Sequence, residues 1–352
     1  MTVALGVGLP LSRPIDDLVQ AALTAERLGY GFVWASDDRL QRDVFSVLAA
    51  IGLRTERIAL GPGVTNPYSR HPALVASAIA TLDEVTHGRA VLGLGAGGTA
   101  HGMLGIERRA PAWALREAIG VTRALLAGSE VTVEGRVVRT RGARLDFPAR
   151  RPDVPIYVGA RGPRILQLAG ELADGVIVGN LATPDGWSYA LGQVSVGAER
   201  AGRTPGDLRL VAWLYCALGD DPAAAMDAVR PMVATSLVTS RSILGELGVD
   251  MPPRFAVAMQ DMGWSLAQDA VTRASEEVPD DVVHQLALAG TPADCRPRLI
   301  ALLDAFPEIA QVAIVPIPLP GQDLVDVIRR FAEEVAGELE PITWSEPGPR
   351  SG

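Results

Sequence analysis

The chain has 352 residues, is 48% hydrophobic and carries a formal net charge of −9 at pH 7. That length and apolar content bury a large core, and the acidic balance excludes the basic footprint that nucleic acid or an anionic membrane surface requires. Two cysteines without a CxxC pair, no apolar run of about 20 residues and no secretory pattern at the start argue against zinc, redox-pair and membrane-spanning classes, so a cytoplasmic protein is expected.

Val3–Leu9 reads as a buried first strand. Pro14 then opens a helix with Ile15, Leu18, Val19, Ala22 and Ala25 at helical spacing, stopped by Gly29. Gly31–Ala35 is a second apolar strand, followed by the polar loop Ser36-Asp37-Asp38-Arg39 and a helix over Val44–Gly52. Arg57–Leu60 is a third strand. It runs into Gly61-Pro62-Gly63-Val64-Thr65-Asn66-Pro67-Tyr68-Ser69-Arg70-His71-Pro72, where the density of Gly and Pro demands an unusual chain path. A helix over Pro72–Thr86 and a strand over Arg89–Leu94 follow, the latter ending in Gly95-Ala96-Gly97-Gly98. After a helix over Ala112–Ala127, Val131–Val133 and Val137–Arg139 flank Glu134-Gly135-Arg136 as a hairpin. Strands resume at Pro155–Val158, Gly175–Val178, Leu208–Ala217 and Gln311–Val315, separated by helices, and the stretch 222–290 reads as helical with breaks. A last helix covers Leu324–Leu339, and the Pro/Gly-rich tail from Glu340 is expected to fray.

Eight short apolar runs alternating with helices are the pattern of buried parallel strands and predict a (β/α)8 TIM barrel, an α/β fold. A doubly wound sheet is the weaker alternative, because no GxGxxG follows the first strand. One domain over residues 1–340 is expected, with insertions at about 128–150 and 222–290 and a flexible tail over 341–352.

Sites in such barrels are built from the loops after the strands. Here those loops carry Asp37 and Asp38, then Gly63 to His71, then Gly97, Gly98, Thr99 and His101, then Gly159 to Pro163, then Gly179 and Asn180. The turn Gly159-Ala160-Arg161-Gly162-Pro163 opens a helix, so its free N–H groups and the Arg161 charge suit a phosphate; a plain Gly/Pro turn is the other reading. Asp37 and Asp38 serve either as an acid and a cofactor contact or as helix caps. His71 is either a proton donor or a helix-start residue, and His101 has the same ambiguity, whereas His87 and His284 read as surface positions. No HExxH, GxSxG or Walker loop is present, and no metal-ligand spacing occurs, so no metal is expected.

Four stretches resemble the bacterial luciferase-like superfamily and, within it, the methylenetetrahydromethanopterin reductase-like branch. They are Trp34-Ala35-Ser36-Asp37-Asp38, residues 61–67 with Arg70-His71-Pro72, residues 88–97, and residues 155–163 with Ala173-Asp174-Gly175-Val176. Ala289-Gly290-Thr291-Pro292 also fits. The resemblance implies a homodimeric barrel that uses coenzyme F420, with FMN as the alternative, to move a hydride to or from a C=C, C=N or C=O of a small molecule or modified peptide. It implies that Asp37 contacts the deazaflavin and that Gly63–Val64 is a non-prolyl cis peptide behind the ring. Thr65 and Asn66 would face the same pocket, and Gly97, Gly98, Val178 and Gly179 would line the ring and ribityl chain. Gly159, Ala160, Arg161, Gly162 and Pro163 would hold the phosphate. The branch's pterin reductases carry a Glu in the first strand where Gly8 stands here, which leaves Asp38 and His71 as the candidate catalytic residues. An FMN-dependent monooxygenase and a non-catalytic flavin-binding barrel are the rival readings.

Overall fold

The structure, a computed structural model, describes residues 2–38, 40–98, 100–337 and 339–341. Its strands in chain order are β1 (Thr2–Leu9), β2 (Phe32–Ala35), β3 (Ala59–Pro62), β4 (Leu92–Gly95), β5 (Val131–Glu134), β6 (Arg139–Ala143), β7 (Ile156–Ala160), β8 (Gly175–Gly179), β9 (Arg209–Leu218), β10 (Ala287–Gly290), β11 (Ile309–Pro316) and β12 (Glu340–Pro341). Eight of them pair in the order β3-β2-β1-β11-β9-β8-β7-β4, all parallel. Bridges from Leu60 to Ala90 and from Thr65 to Leu94 close β3 onto β4, completing the (β/α)8 barrel.

Strand periodicity divides the core in two. Inward residues such as Phe32, Trp34, Val91, Tyr157, Ile177 and Val211 fill the barrel. There Phe32 stacks on Trp34 at 5.8 Å between centroids and Tyr157 meets Trp34 edge-on at 5.2 Å. Outward residues such as Val33, Leu60, Leu92 and Val176 pack beneath the helices. Those helices carry one apolar stripe each, as on Ile15–Arg27, where Leu18, Ala21, Ala22 and Ala25 are buried and Asp16 and Asp17 sit at the positive N-terminal end.

Four local features differ from the sequence expectation. The third strand begins at Ala59 rather than Arg57, because Glu26 Oε1 accepts the N–H groups of Glu56, Arg57 and Ile58 and holds that segment as a turn. A short helix, Ala100–Met103, stands in the fourth strand-to-helix loop. The stretch 222–290 ends in a strand, β10, which pairs with Tyr215–Leu218; β9 is ten residues long and its far half offers a free edge. Glu340 and Pro341 pair with Thr2 and Val3 instead of fraying, while residues 342–352 of the expected tail lie outside the described residues. The hairpin is β5 against β6, antiparallel. The rest of 222–290 is built of helices Pro222–Thr239, Pro253–Asp261, Gln268–Ser275 and Asp280–Leu286. Among the described residues no helix is long and apolar enough to cross a membrane.

Candidate active site

The unusual path foreseen between Leu60 and Pro72 has a definite geometry. Between its two bridges the β3 side advances five residues, from Leu60 to Thr65, while β4 advances four, from Ala90 to Leu94. The extra residue is a bulge, held by Thr65 N–H donating to Gly93 O at 3.0 Å and Gly95 N–H donating to Thr65 O at 2.8 Å. The Gly63–Val64 peptide within it is cis. The Val64 side chain lies over glycines of two other strands. A Cβ on Gly93, Gly95 or Gly159 would stand 3.1, 2.4 or 3.0 Å from a Val64 methyl. The 61–72 loop and the Gly159–Pro163 turn thus meet at the same end of the barrel.

Beneath Val64 the floor is aromatic. A Cβ on Gly63 would lie 2.7 Å from Trp34 Cβ and 3.1 Å from the Trp213 indole, and one on Gly8 would lie 2.6 Å from the same indole. The space above the first strand, where the pterin reductases of this branch are expected to hold a carboxylate, is filled by Trp213. Sequence reading missed Trp213; its signal was the inward alternation of Val211, Trp213 and Tyr215 along β9.

Asp37 and Asp38 diverge. Asp37 Oδ2 accepts from Thr65 Oγ1 at 2.6 Å and from Arg70 Nε at 3.0 Å, and Arg70 continues to Asp43 at 2.6 Å. Burial works against the Arg70 charge, but the hydrogen bonds that it donates to both carboxylates outweigh it and raise its pKa. Asp38 reaches across the mouth instead: a Cβ on Gly98 would stand 3.3 Å from its Oδ1.

His71 is not brought to the mouth as a proton donor. Its Nδ1 accepts Ala73 N–H at 3.2 Å as the cap of helix Pro72–Val85, and its Nε2 lies 3.0 Å from Arg139 O in the hairpin. Both ring nitrogens are committed, with Nε2 donating, so the helix-start reading holds. Thr65 and Asn66 likewise serve the loop rather than an open pocket. Thr65 is fully buried, and Asn66 Oδ1 accepts Tyr68 N–H, Ser69 N–H and His101 Nε2–H at 3.0, 2.9 and 3.2 Å. His101 is buried against Gly97, whose φ of +81° and missing Cβ admit the ring, and meets Tyr68 edge-on at 5.3 Å. Burial, and then Arg108, holds the His101 pKa below the usual value. Thr99 lies outside the described residues.

Val178 does not line the mouth. It is buried in the outer core, because the period of the strand turns Ile177 and Gly179 inward and Val178 toward the helices. Gly162 is the cap of helix Pro163–Leu172, and no side chain caps it; Pro163 has no N–H and Ile165 N–H turns back to Gly162 O at 3.2 Å, which leaves the Arg164 N–H at the helix start. Arg161 does not stay with it. Its side chain lies over Gly179, a Cβ there meeting Arg161 Cγ at 3.7 Å, and Nη2 donates to Thr239 Oγ1 at 3.0 Å. No group of three or more His, Cys, Asp or Glu residues that could hold a metal ion occurs among the described residues.

The site is thus a glycine-walled slot above Trp213, with Val64 on one face, two carboxylates at the rim and an uncapped helix start at one end. Comparisons with known proteins place the whole chain among related barrels. The family model for luciferase-like monooxygenases matches residues 2–307. A 5,10-methylenetetrahydromethanopterin reductase of Methanolobus tindarius is 35% identical over 335 residues, covering 94% of this chain and 99% of its own. An F420-dependent hydroxymycolic acid dehydrogenase of Mycobacterium tuberculosis is 38% identical over 237 residues, 62% of this chain and 65% of that protein. Among solved structures, the coenzyme F420-dependent tetrahydromethanopterin reductase of Methanopyrus kandleri superposes with a TM-score of 0.83 at 29% identity, over 96% of this chain and all of the other.

Proposed function

The chain belongs to the luciferase-like monooxygenase family, and we propose that it is a coenzyme F420-dependent oxidoreductase acting on an unsaturated C=C, C=N or C=O bond of a small molecule or modified peptide. The observation that carries the cofactor is the full-length likeness to a coenzyme F420-dependent reductase at 29% identity. The residues present fit a flat ring with a phosphorylated tail. Gly95 and Gly159 let Val64 seat against two strands as a wall, Gly98 leaves the rim without a Cβ, and the uncapped start at Gly162 suits a phosphate.

When bound, the deazaflavin supplies or accepts the hydride. The chain's own residues position and shield it. Gly63 and Val64 present an apolar face against one side of the slot and leave the opposite side for the acceptor. Trp213, 9% exposed, closes the floor against water. Asp37 is held in place by Thr65 and Arg70 as a fixed carboxylate at the rim. Asp38, at the Gly98 rim, is the group that holds or delivers the proton. The Trp213 indole over Gly8 makes the acceptor side apolar where a pterin reductase is expected to hold an acid, and favours an acceptor other than the pterin.

Titration of the purified protein with reduced F420 and with FMN, followed by fluorescence, tests the reading. Micromolar binding of F420 is expected; binding of FMN alone would replace it with a flavin monooxygenase. A homodimer is part of the same proposal, and light scattering at twice the chain mass of 37.0 kDa checks it.

A further inference from the structure

The fourth strand-to-helix loop carries a firmly built turn whose apolar side chains stand in water. Its short helix Ala100–Met103 ends in a Schellman closure. Ile106 N–H donates to His101 O at 2.8 Å and Gly105 N–H to Gly102 O at 3.3 Å, with Gly105 in the left-handed conformation at φ +64°. The inner side of the turn is pinned. His101 is buried against Gly97, Asn66 and Tyr68. Tyr68 OH donates to Arg109 O at 2.7 Å, and Arg108 Nη1 to Gly97 O at 3.4 Å. The outer side is open: Met103 is 65% exposed and Leu104 44%, and Cβ atoms added at Gly102 and Gly105 would meet nothing within 4 Å. The loop after β2 carries a third such side chain, Leu40, 71% exposed and two residues beyond Asp38. That loop is tied down by Arg42 Nη1, which donates to Leu11 O and Ser12 O at 3.2 and 3.0 Å. The two loops meet where Asp38 Oδ1 lies 3.3 Å from a Cβ on Gly98.

Single exposed leucines need no explanation, but these three side chains border one opening. Serine at each position would leave the Schellman closure and the His101 anchor as they are, so the turn itself does not demand apolar residues there. A second copy of the chain seated on them would lie across the Asp38–Gly98 opening and block it. The group that covers them therefore enters with the acceptor. We propose that Leu40, Met103 and Leu104 form a specificity rim that seats an apolar substituent, an alkyl chain or a hydrocarbon ring, on the acceptor whose reacting bond lies at Asp38. The placing of that bond rests on the oxidoreductase reading above. The rim adds the class of acceptor: its C=C, C=N or C=O bears a bulky apolar group. Met103 suits such a task, because an unbranched, polarizable side chain adapts to the shape laid on it.

A homologous series of methyl ketones, 2-butanone to 2-decanone, probes the rim, since the carbonyl stays constant while the chain lengthens. Binding is measured by calorimetry on the F420-loaded and the F420-free protein, with Tm by thermal shift and oligomeric state by light scattering. Affinity should rise about twofold to fourfold for each added methylene. Leu40→Ser and Met103→Ser/Leu104→Ser should each flatten that rise, the double variant weakening 2-decanone about tenfold, and leave Tm and F420 affinity unchanged. Met103→Leu, which keeps an apolar side chain, should keep the rise. A wild-type affinity that does not grow with chain length would overturn the proposal, and so would growth that the serine variants retain. Serine variants that turn a dimer into a monomer would overturn it as well, by showing that a second copy covers these residues. Absence of F420 binding, with the chain-length dependence and its loss in the serine variants intact, would remove the cofactor reading and leave the rim standing. F420 binding with a flat ketone series would remove the rim alone.

Discussion

Val64 rests on Gly95 in a contact that only glycine permits: a Cβ at position 95 would come within 2.4 Å of Val64 Cγ2. A Cβ on Gly159 would likewise stand 3.0 Å from Val64 Cγ1. Val64 is therefore fixed from two strands, and the face it presents to the slot is rigid. Gly95→Ala should overpack this point and cost about 1–3 kcal/mol by chemical denaturation. It should also weaken F420 tenfold or more by displacing Val64. Adding Val64→Ala should restore most of the stability, because the two methyl groups no longer collide, without restoring affinity. A Gly95→Ala protein with wild-type stability and affinity would show that Val64 is not a fixed shelf.

Gly8 and Trp213 form a second such pair. The indole lies 2.6 Å from where a Gly8 Cβ would be, so even alanine at position 8 forces the ring to move. Gly8→Ala should destabilise by about 1–3 kcal/mol, and Trp213→Phe in the same chain should relieve it, since the smaller ring withdraws the crowding atoms. Gly8→Glu should fold only together with Trp213→Ala. A stable single Gly8→Glu protein would mean that the floor is softer than the packing of Trp34, Trp213 and Tyr157 implies.

These contacts mark what the sequence made legible. The strands were readable because buried parallel strands are apolar on both faces, as in Phe32-Val33-Trp34-Ala35 and Ile156-Tyr157-Val158. The ends of those strands, and hence the position of the slot, followed from the Gly-rich turns. What could not be read was the purpose of each glycine, because a missing Cβ says nothing about which side chain fills the gap. His71 and His101 illustrate the same limit. One caps a helix and braces the hairpin, while the other is buried under Gly97, and only the fold separates them. Strand β10 was hidden because Ala287-Leu288-Ala289-Gly290 continues a helical apolar pattern, and its partner edge on β9 exists only once the barrel has closed.

His101 gives the stability a pH dependence of known sign. Its folded-state pKa lies below the ordinary histidine value, first through burial and then through Arg108. The folded protein therefore binds this proton more weakly than the unfolded chain. Above the unfolded value both states are neutral and the residue is without effect. As pH falls through about 6.5 the unfolded chain is favoured, until the folded-state value is passed. His284 shifts in the same direction, first through burial and then through Arg298. Urea unfolding free energies at pH 7.5 and 5.5 should differ less in His101→Phe than in the wild type, and least in His101→Phe/His284→Gln. An unchanged difference would place the dependence elsewhere.

Asp83 and Arg151 tie the helix that follows the site loop to the closing strands of the barrel. Asp83 is inaccessible, and its carboxylate takes Arg151 Nε at 3.0 Å and Nη2 at 2.5 Å together with Ala90 N–H at 3.2 Å. Arg151 Nη2 also donates to Ala90 O at 2.8 Å. Removing one member leaves the other charge without its partner, so Asp83→Ala should cost about 3–5 kcal/mol. Asp83→Leu with Arg151→Met replaces the pair by apolar groups and should recover most of that loss. The pair stands where β4 begins, whereas the slot lies where the strands end. F420 affinity measured below the melting temperature should therefore be unchanged in both proteins. A loss of affinity in the stable double variant would show that barrel closure at Ala90 and the seating of Val64 at Gly95 are one mechanical unit rather than two.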